Sequence, residues 1–414
     1  MNQTIIRRQV IDELSRYLDT DDVLILHGAR QVGKTSCLMY LKQQLEQSGK
    51  PVFYFDLEDS RYLALLEKGV DEFLLHLTEL GVNLDMFKTS NQKLFIMIDE
   101  VQYLQNPTSF LKLIADHHRY LKLIVSGSSS FEMKSKFRDS LVGRTISYEL
   151  FPLSFKEFLI FKGVDFHPGP KMTDLRVNQL TTLYLQYCLY GGYPKIVLTP
   201  DVTTKEKYLQ QIIDTYIRKD IRELAQIKEI TKFNLLIEIL ASQSGNMLNL
   251  TELCNTCQLS LETINRYLFL LEQTYIIKLV RPFSRNLRTE LTKTPKVFLY
   301  DTGLMQMLWF KSLSGNLLGS VFETSIFSEL VKKYGQNSVK YWRTTDKQEI
   351  DFIIQYRDQL IPIEAKIQFP YTIPAQLNSF AEKYPQETRQ TSARLVAIKG
   401  QPADDSMVYP WEII

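Results

Sequence analysis

The chain of 414 residues has few of the features that mark secreted, membrane or disulfide-stabilised proteins. Its four cysteines are too few for a disulfide framework in a chain of this length. No apolar run approaches the ~18 residues needed to cross a bilayer, and the N-terminus lacks the apolar stretch of a secretory signal. We therefore expect a cytoplasmic protein with no membrane partner.

Metal-binding and charge patterns are also sparse. Cys254 and Cys257 form one CxxC, but no second CxxC or HxxxH follows at zinc-finger spacing. We therefore interpret these cysteines as two small residues on a short helix rather than as a metal site. The net charge of +2 does not by itself indicate a nucleic-acid partner. The basic residues are unevenly distributed, however, because six basic side chains and a single acid, Glu290, lie between Lys278 and Lys296.

The length and the hydrophobic pattern predict several domains. Over residues 1–150, apolar runs typical of buried strands alternate with helical patterns, which predicts an α/β domain with a parallel sheet. From Pro152 the pattern is helical, and after residue 319 the predicted order is αβββαβ. We divide the chain into an α/β core, a helical lid, a third module and a C-terminal domain, at 1–150, 151–228, 229–310 and 311–414.

The first apolar strand leads into a phosphate-binding loop, because residues 28–35 match GxxxxGK[ST] at the start of a predicted helix. Glycines let the backbone N–H groups of such a loop face phosphates, and the helix N-terminus adds a favourable dipole. We expect Lys34 to reach the β and γ phosphates of ATP and the Thr35 hydroxyl to ligate Mg²⁺. The predicted nucleotide-binding residues of this segment are Gly28, Ala29, Arg30, Gln31, Val32, Gly33, Lys34, Thr35 and Ser36.

A second motif ends the third apolar strand with two acids, Asp99 and Glu100. The carboxyl ends of parallel strands form the edge of an open α/β sheet where ligands bind. Asp99 is expected to hold the magnesium ion, and Glu100 to act as the general base that polarises the attacking water.

Two weaker elements follow the acids. Ser126, at the end of the fourth strand, is a candidate sensor of the γ-phosphate, although a plain Ser/Gly turn explains it nearly as well. Arg144 precedes the fifth strand and is a candidate arginine finger for a neighbouring subunit, which would require a homo-oligomer. A surface ion pair is the alternative for Arg144.

These motifs together resemble the archaeal and bacterial AAA ATPases that carry a C-terminal domain of unknown function. The resemblance depends on residues 28–35, 99–102, 126–129 and 141–155 and extends over nearly the whole chain. It implies a P-loop AAA+ core followed by a helical lid. It also implies that Gly192-Tyr193-Pro194 corresponds to the GxP element of related signalling ATPases, in which Pro194 would pack on adenine. A tight turn between helices is the local alternative.

The third predicted module has the plan of a winged helix-turn-helix. Helical patterns at 231–241, 249–257 and 261–273 precede two short strands that flank the basic segment. The third helix could enter a major groove of DNA, and the basic side chains could neutralise phosphates. A rigid spacer or a protein contact is the alternative. The predicted DNA contacts are Arg266, Arg281, Arg285, Arg288 and Lys293.

The C-terminal segment has ionisable residues at suggestive places on predicted strands. Asp351 lies in the second strand, and Glu364 and Lys366 emerge on one face of the third, because side chains alternate along a strand. Glu323 lies early in the preceding helix. The pattern resembles the PD-(D/E)xK nucleases, except that Ile350 stands where a proline often precedes the aspartate.

The nuclease resemblance implies a restriction-endonuclease-like domain with a defined catalytic chemistry. Glu323, Asp351 and Glu364 would bind Mg²⁺ or Mn²⁺, and Lys366 would stabilise charge. An inactive version of the fold, or a surface hairpin with alternating charges, would give a similar pattern. The sequence thus leaves two hypotheses: an ATP-driven DNA-processing protein with a nuclease-like domain, or an ATP-gated regulator whose C-terminal domain grips DNA or a protein without cleavage.

Overall fold

The structure of the protein is a computed structural model. It describes residues 5–90, 92–127, 143–166, 172–221, 227, 229–285, 293–313, 315–388 and 393–413. The chain forms two compact units, Met1–Phe151 and Pro152–Ile414. The predicted division at residues 150, 228 and 310 stays a prediction.

The first unit alternates strands and helices as the hydrophobic pattern predicts. Its strands are β1 (Val23–Gly28), β2 (Val52–Asp56), β3 (Leu94–Asp99), β4 (Leu121–Gly127) and β5 (Thr145–Leu150). Its helices are α1 (Val10–Ser15), α2 (Lys34–Gln47), α3 (Ser60–Glu67), α4 (Val70–Glu79), α5 (Leu84–Thr89) and α6 (Pro107–His117), with a 3₁₀ turn at Val101–Tyr103. The pattern over residues 4–18 predicts a longer first helix than α1, which begins only at Val10.

All five strands of the first unit pair in parallel, in the order β2-β3-β4-β1-β5. Strands β1, β3 and β4 are buried along their whole length, which explains why they are continuously apolar. Because β1 and β3 are separated by β4 alone, the loop after β1 and the acids at the end of β3 emerge at one edge of the sheet.

The second unit begins with helices. These are α7 (Phe155–Phe161), α8 (Asp174–Tyr190), α9 (Pro194–Leu198), α10 (Val202–Ile212), α11 (Ile230–Ser242), α12 (Leu250–Cys257), α13 (Leu261–Gln273), α14 (Thr302–Phe310) and α15 (Gly319–Tyr334), with a π-helix at Ile213–Asp220 after α10. The hairpin strands β6 (Ile277–Val280) and β7 (Lys296–Leu299) lie between α13 and α14 and pair antiparallel. The three helices and the hairpin follow the predicted order.

The C-terminal part of the second unit is a mixed five-stranded sheet. Its elements are β8 (Val339–Arg343), β9 (Glu349–Tyr356), β10 (Gln359–Gln368), α16 (Ala375–Lys383), α17 (Pro385–Thr388), β11 (Arg394–Lys399), β12 (Met407–Val408) and a 3₁₀ turn at Pro410–Glu412. The strand order is β12-β11-β10-β9-β8. After α15, the predicted order of three strands, helix and strand is present, and the structure adds the short strand β12.

The chain that follows β6 continues along the edge of the C-terminal sheet. The N–H of Phe283 donates to the carbonyl of Tyr341 at 2.6 Å, and the N–H of Tyr341 donates to the carbonyl of Arg281 at 3.2 Å. The Phe283 ring packs against Phe380 and Tyr384, at ring-centroid distances of 6.1 and 5.3 Å. The hairpin segment and the C-terminal sheet are thus packed together within the second unit.

Two further expectations concern cysteines and membranes. All four cysteines are free thiols, and Cys254 and Cys257 lie on the short helix α12. Among the residues that the structure describes, we find no helix with the length and apolar character needed to cross a bilayer.

Candidate active site

The phosphate loop of the first unit is shaped by its glycines. A Cβ on Gly28 would lie 2.1 Å from the carbonyl oxygen of Leu150, so the approach of the loop to β5 requires glycine. Gly33 has φ of 102° and precedes α2, a conformation that favours glycine. The loop therefore ends at a helix N-terminus, as the motif predicts.

The Lys34 side chain is buried inside the loop. Its Nζ donates to the carbonyl oxygens of Gly28 at 3.3 Å and Ala29 at 2.9 Å. Burial lowers the pKa of Lys34, while the charges of Glu100 and Asp99 act in the opposite direction. The loop and the acids of β3 are thus close enough to interact electrostatically.

Asp99 is the centre of a hydrogen-bond network at the end of β3, and it is 1% exposed. Its Oδ2 accepts hydrogen bonds from Thr35 Oγ1 at 2.7 Å and from Tyr54 Oη at 2.9 Å. Its Oδ1 accepts from the Ser126 hydroxyl and, at 3.1 Å, from the Glu100 N–H. Three hydroxyl groups and one amide therefore orient this carboxylate. The predicted residues Thr35, Asp99 and Ser126 meet in one site.

Glu100 occupies a turn with unusual backbone geometry. Its φ is 54°, in the left-handed region that non-glycine residues rarely adopt. Its carboxylate accepts a hydrogen bond from Gln102 Nε2. The backbone turn thus places a second carboxylate directly after the one that contacts Thr35, and Gln102 fixes its orientation.

The oxygen atoms at this edge suit magnesium. Thr35 Oγ1 and Asp99 Oδ2 are adjacent and both are oxygen donors, the ligand type that a hard divalent cation prefers. A cation at this edge would complete its coordination with phosphate oxygens and water, as Mg²⁺ does when it binds with nucleotides. Thr35 and Asp99 are therefore the residues that would hold it.

Two residues of this site were missed by sequence reasoning. Tyr54 gives its hydroxyl hydrogen to Asp99, and burial, followed by the charge of Asp99, raises the Tyr54 pKa, so the phenol stays a donor. Arg8 is buried and donates to the carbonyls of Val32 at 2.6 Å and Phe151 at 3.0 Å. A hydroxyl within an otherwise apolar strand was the available signal for Tyr54, whereas nothing local marks Arg8.

Arg144 and Pro194 are two further residues that the sequence predicts to contact the nucleotide. Arg144 makes an ion pair with Asp116 of the same unit, so its use as an arginine finger stays a prediction. Pro194 begins α9 of the second unit, and its contact with adenine stays a prediction. The preceding Gly192 donates its N–H to Asp301 Oδ2 at 2.7 Å, which anchors the turn.

The C-terminal sheet brings together three of the predicted nuclease residues. The N–H of Asp351 donates to Glu364 Oε2 at 3.4 Å, and Asp351 Oδ2 accepts from the Ala365 N–H at 3.0 Å. Lys366 Nζ lies 2.7 Å from Glu364 Oε1, which confirms that these two side chains emerge on one face. Burial, together with the charge of Asp351, raises the pKa of Glu364.

A lysine that sequence reasoning missed lies among the remaining acids. Lys296, on β7 of the hairpin, is 3% exposed. Its Nζ lies 2.7 Å from Glu349 Oε1, 3.5 Å from Glu323 Oε1 and 3.9 Å from Asp351 Oδ1. We call Glu323, Glu349, Asp351 and Lys296 the Lys296 cluster. Its signal in the sequence was a basic residue at the start of an apolar strand.

The pKa values of Glu323 and Lys296 in the Lys296 cluster are raised above their ordinary values. Burial, together with the charge of Asp351, raises the pKa of Glu323 to about 8. Burial alone would lower the pKa of Lys296, but the carboxylates of Glu323, Asp351 and Glu349 outweigh it and raise that pKa. Lys296 is therefore charged at neutral pH, and the raised pKa of Glu323 favours its protonated form.

The predicted metal ligands Glu323, Asp351 and Glu364 lie beside lysine side chains in the structure. Within the described parts of the chain, no three or more His, Cys, Asp or Glu side chains are grouped so as to hold a metal ion. Glu323 and Asp351 face the ammonium of Lys296, whereas Glu364 faces Lys366. Metal binding by these acids stays a prediction.

The predicted DNA contacts differ in their surroundings. Arg266 is exposed on α13, and Lys293 is exposed before β7. Arg285 instead pairs with Glu387 at 2.5 Å and lies 5.0 Å from the ring centre of Tyr384. Arg281 is half-buried beside the C-terminal sheet, and Arg288 lies outside the described residues.

Sequence comparison divides the chain into three parts. Residues 20–159 match the model of an AAA domain, residues 181–315 match a domain of unknown function (DUF8612), and residues 318–412 match a domain of unknown function (DUF4143). The chain therefore carries an AAA-type P-loop ATPase domain followed by the two other domains. The nuclease resemblance is not among these matches.

The sequences of several other proteins align with most of the chain. An uncharacterized protein of Haemophilus influenzae is 26% identical over 375 residues, which cover 88% of this chain and 88% of that protein. An uncharacterized protein of Methanocaldococcus jannaschii is 26% identical over 340 residues, covering 80% of this chain and 72% of that one. The Aeropyrum pernix ORC2 protein in its ADP form gives a TM-score of 0.34 at 13% identity, covering 65% of this chain and 85% of that one.

Proposed function

We propose that the protein binds and hydrolyses Mg·ATP at the site formed by Gly28–Thr35, Asp99 and Glu100. The observation that carries the proposal is the 2.7 Å hydrogen bond between Thr35 Oγ1 and Asp99 Oδ2. It joins the phosphate loop to the acidic end of β3, which are distant in sequence. The AAA-domain match over residues 20–159 supports the same activity.

Each side chain of the site has a definite task in this reaction. The loop N–H groups and the Lys34 ammonium bind the phosphates, and their positive charge stabilises the negative charge of the transferring group. Thr35 and Asp99 would hold the magnesium ion, which when bound would neutralise negative charge on the phosphates. Glu100 accepts a proton from the attacking water, and Gln102 holds the Glu100 carboxylate in position.

Two substitutions separate ATP binding from ATP turnover. Lys34→Ala removes the charge that binds phosphate, so we expect no measurable ATP binding. Glu100→Gln keeps the loop and Asp99 intact, so ATP should bind with near wild-type affinity while hydrolysis falls by about 100-fold or more. The measurements are equilibrium binding of radiolabelled ATP and phosphate release. Hydrolysis at the wild-type rate in Glu100→Gln would exclude Glu100 as the base.

The proposed partner of the second unit is DNA. Helices α11–α13 and the β6–β7 hairpin have the order of a winged helix-turn-helix, and α13 exposes Asn265 and Arg266. Ser260 caps α13 through the N–H of Thr263 at 3.2 Å, which fixes the start of the helix. Since Arg285 is paired with Glu387, we expect Arg266 of α13 to contribute more to DNA binding than Arg285.

Of the two roles open to the C-terminal domain, we favour a binding module over a nuclease. A metal-dependent nuclease needs acids that can accept a cation, whereas the ammonium of Lys296 lies between Glu349, Glu323 and Asp351. ATP binding in the first unit would then switch a protein whose C-terminal domain grips DNA. The ATPase is accordingly a regulator or switch in this proposal.

One observation favours nuclease activity as a second candidate. Asp351, Glu364 and Lys366 are joined by direct contacts on β9 and β10, as that chemistry requires. The test is DNA cleavage in Mg²⁺ or Mn²⁺, with and without ATP, by the wild-type protein and by Asp351→Ala. Cleavage that disappears in Asp351→Ala while ATP hydrolysis persists would establish the second candidate and refute the binding module.

A further inference from the structure

We propose that Tyr54 is a positioning residue for magnesium, acting through the carboxylate of Asp99. The inference rests on the proposed ATPase function and names a residue that no sequence motif assigns. It starts from the 2.9 Å hydrogen bond that the Tyr54 hydroxyl donates to Asp99 Oδ2, the same oxygen that contacts Thr35.

The sheet register explains how Tyr54 reaches this carboxylate. Strands β2 and β3 are parallel neighbours, and Tyr54 pairs with Met97. Asp99 lies two residues beyond Met97 and therefore on the same face of the sheet, because side chains alternate along a strand. Phe53 and Phe55 point to the opposite face, where they join the hydrophobic core. Tyr54 is thus the residue of β2 whose hydroxyl is directed at the nucleotide site.

The chemistry of the hydroxyl is that of an orienting group. Asp99 Oδ2 accepts from two hydroxyls, and Thr35 is the one expected to ligate Mg²⁺. A threonine hydroxyl that ligates a cation offers it a lone pair of Oγ1 and keeps its hydrogen, so it can still donate to Asp99. Tyr54 is the second donor to Oδ2 and comes from a different strand, so it orients the carboxylate independently of the residue that ligates the metal. Ligand carboxylates need such outer partners to keep their orientation.

Loss of the Tyr54 hydroxyl should therefore weaken the contribution of magnesium to nucleotide affinity, and it should leave the contribution of the phosphate loop unchanged. Tyr54→Phe keeps the ring and its packing and removes one oxygen atom. The contacts of Lys34 with the loop do not involve Tyr54. Nucleotide affinity without metal should stay within about twofold of wild type, while the gain in affinity that Mg²⁺ provides should fall by about tenfold.

The experiment measures binding of a fluorescent ATP analogue by the full chain, in Mg²⁺ and in EDTA. The quantity compared is the ratio of the two dissociation constants, which is internally controlled because both are measured on the same folded fraction. The matched control is Tyr40→Phe, since the Tyr40 hydroxyl, on α2, accepts a hydrogen bond from Gln44 at 3.4 Å. Tyr40→Phe should retain the wild-type ratio.

The outcomes distinguish this inference from the proposed function. A wild-type ratio in Tyr54→Phe overturns the positioning role while leaving the ATPase proposal intact. Equal losses in Mg²⁺ and in EDTA also overturn it, because they indicate a structural effect on the whole site. Failure of the wild-type protein to bind the nucleotide in either condition refutes the proposed function itself.

Discussion

Asp99 in the first unit and Asp351 in the second are both aspartates on strands of a central sheet, yet their surroundings differ in charge. Asp99 accepts hydrogen bonds from three neutral hydroxyls and one backbone N–H. Asp351 shares its surroundings with three other acids, Glu323, Glu349 and Glu364, and with the ammonium of Lys296. The two aspartates therefore differ in the groups that surround their carboxylates.

The difference decides how readily each site can accept a cation. Neutral hydroxyls leave the negative charge of Asp99 in place and can turn about a single bond, so a cation can approach this carboxylate without displacing a charged side chain that is hydrogen-bonded to it. A buried ammonium must be withdrawn from its carboxylates first, and the separation of a buried pair is costly. The carboxylate of Asp99 is consequently held by neutral donors, whereas the Lys296 cluster is balanced by a charge of the protein itself.

The largest expected effect comes from removal of that internal charge. Lys296→Met keeps the length of the side chain but leaves Glu349 and Asp351 without the ammonium. We expect the free energy of unfolding to fall by about 3 kcal/mol, a decrease in melting temperature on the order of 6 °C. Thermal unfolding followed by circular dichroism at pH 8 measures it. Millimolar Mn²⁺ should raise the melting temperature of the variant more than that of the wild type.

Lys293→Met provides the matched control, because Lys293 is exposed and lies three residues before Lys296. It should change the melting temperature by less than about 1 °C, as exposed charges contribute little. If Lys296→Met were as stable as Lys293→Met, the ammonium would not be balancing the cluster, and the contrast between the two sites would fail.

A second prediction concerns the pH dependence of the cluster. The pKa of Glu323 rises from its ordinary value near 4.5 to about 8 because of burial and Asp351. The folded protein therefore binds a proton at Glu323 that the unfolded chain has released. This contribution to stability is full below pH 4.5 and is lost as the pH rises through about 8.

Glu323→Gln should flatten this dependence, since an amide does not titrate. Melting temperatures of wild type and variant, measured from pH 5 to pH 9, should show that the variant gains relative to the wild type as pH rises. Glu262→Gln, on the exposed side of α13, is the control and should follow the wild-type curve. Parallel curves for Glu323→Gln and wild type would mean that Glu323 is ionised throughout.

The sequence predicted most of the first site because its chemistry is contained in two short motifs. Residues 28–35 and the Asp99-Glu100 pair each follow an apolar strand, so both position and role could be read locally. Tyr54 escaped because its role depends on the adjacency of β2 and β3, which is a property of the sheet order. Arg8 escaped because its partners Val32 and Phe151 are 24 and 143 residues away.

The second site was predicted only in part for the same physical reason. The positions of Asp351, Glu364 and Lys366 follow from strand alternation, which is a local rule. Lys296 belongs to a hairpin that the sequence assigned to a different module, and its basic character was attributed to a DNA contact of the whole segment. Packing of that segment on the C-terminal sheet, through Phe283 and Tyr341, changes the surroundings of its charges.

The smallest expected effect tests two surface arginines, Arg266 on α13 and Arg285 in the hairpin segment, which have different partners. Each phosphate contact that is lost should reduce the slope of log affinity against log salt by about 0.9 for duplex DNA. Arg266→Ala should lower the slope by about that amount, because Arg266 is exposed on α13. Arg285→Ala should leave the slope unchanged, because this guanidinium is already paired with Glu387 and lies over the ring of Tyr384.

Duplex binding measured by fluorescence anisotropy from 50 to 300 mM salt provides the slopes. A lower slope in Arg285→Ala alone would place the DNA on the hairpin rather than on α13, and would show that the hairpin charges can exchange an internal partner for phosphate.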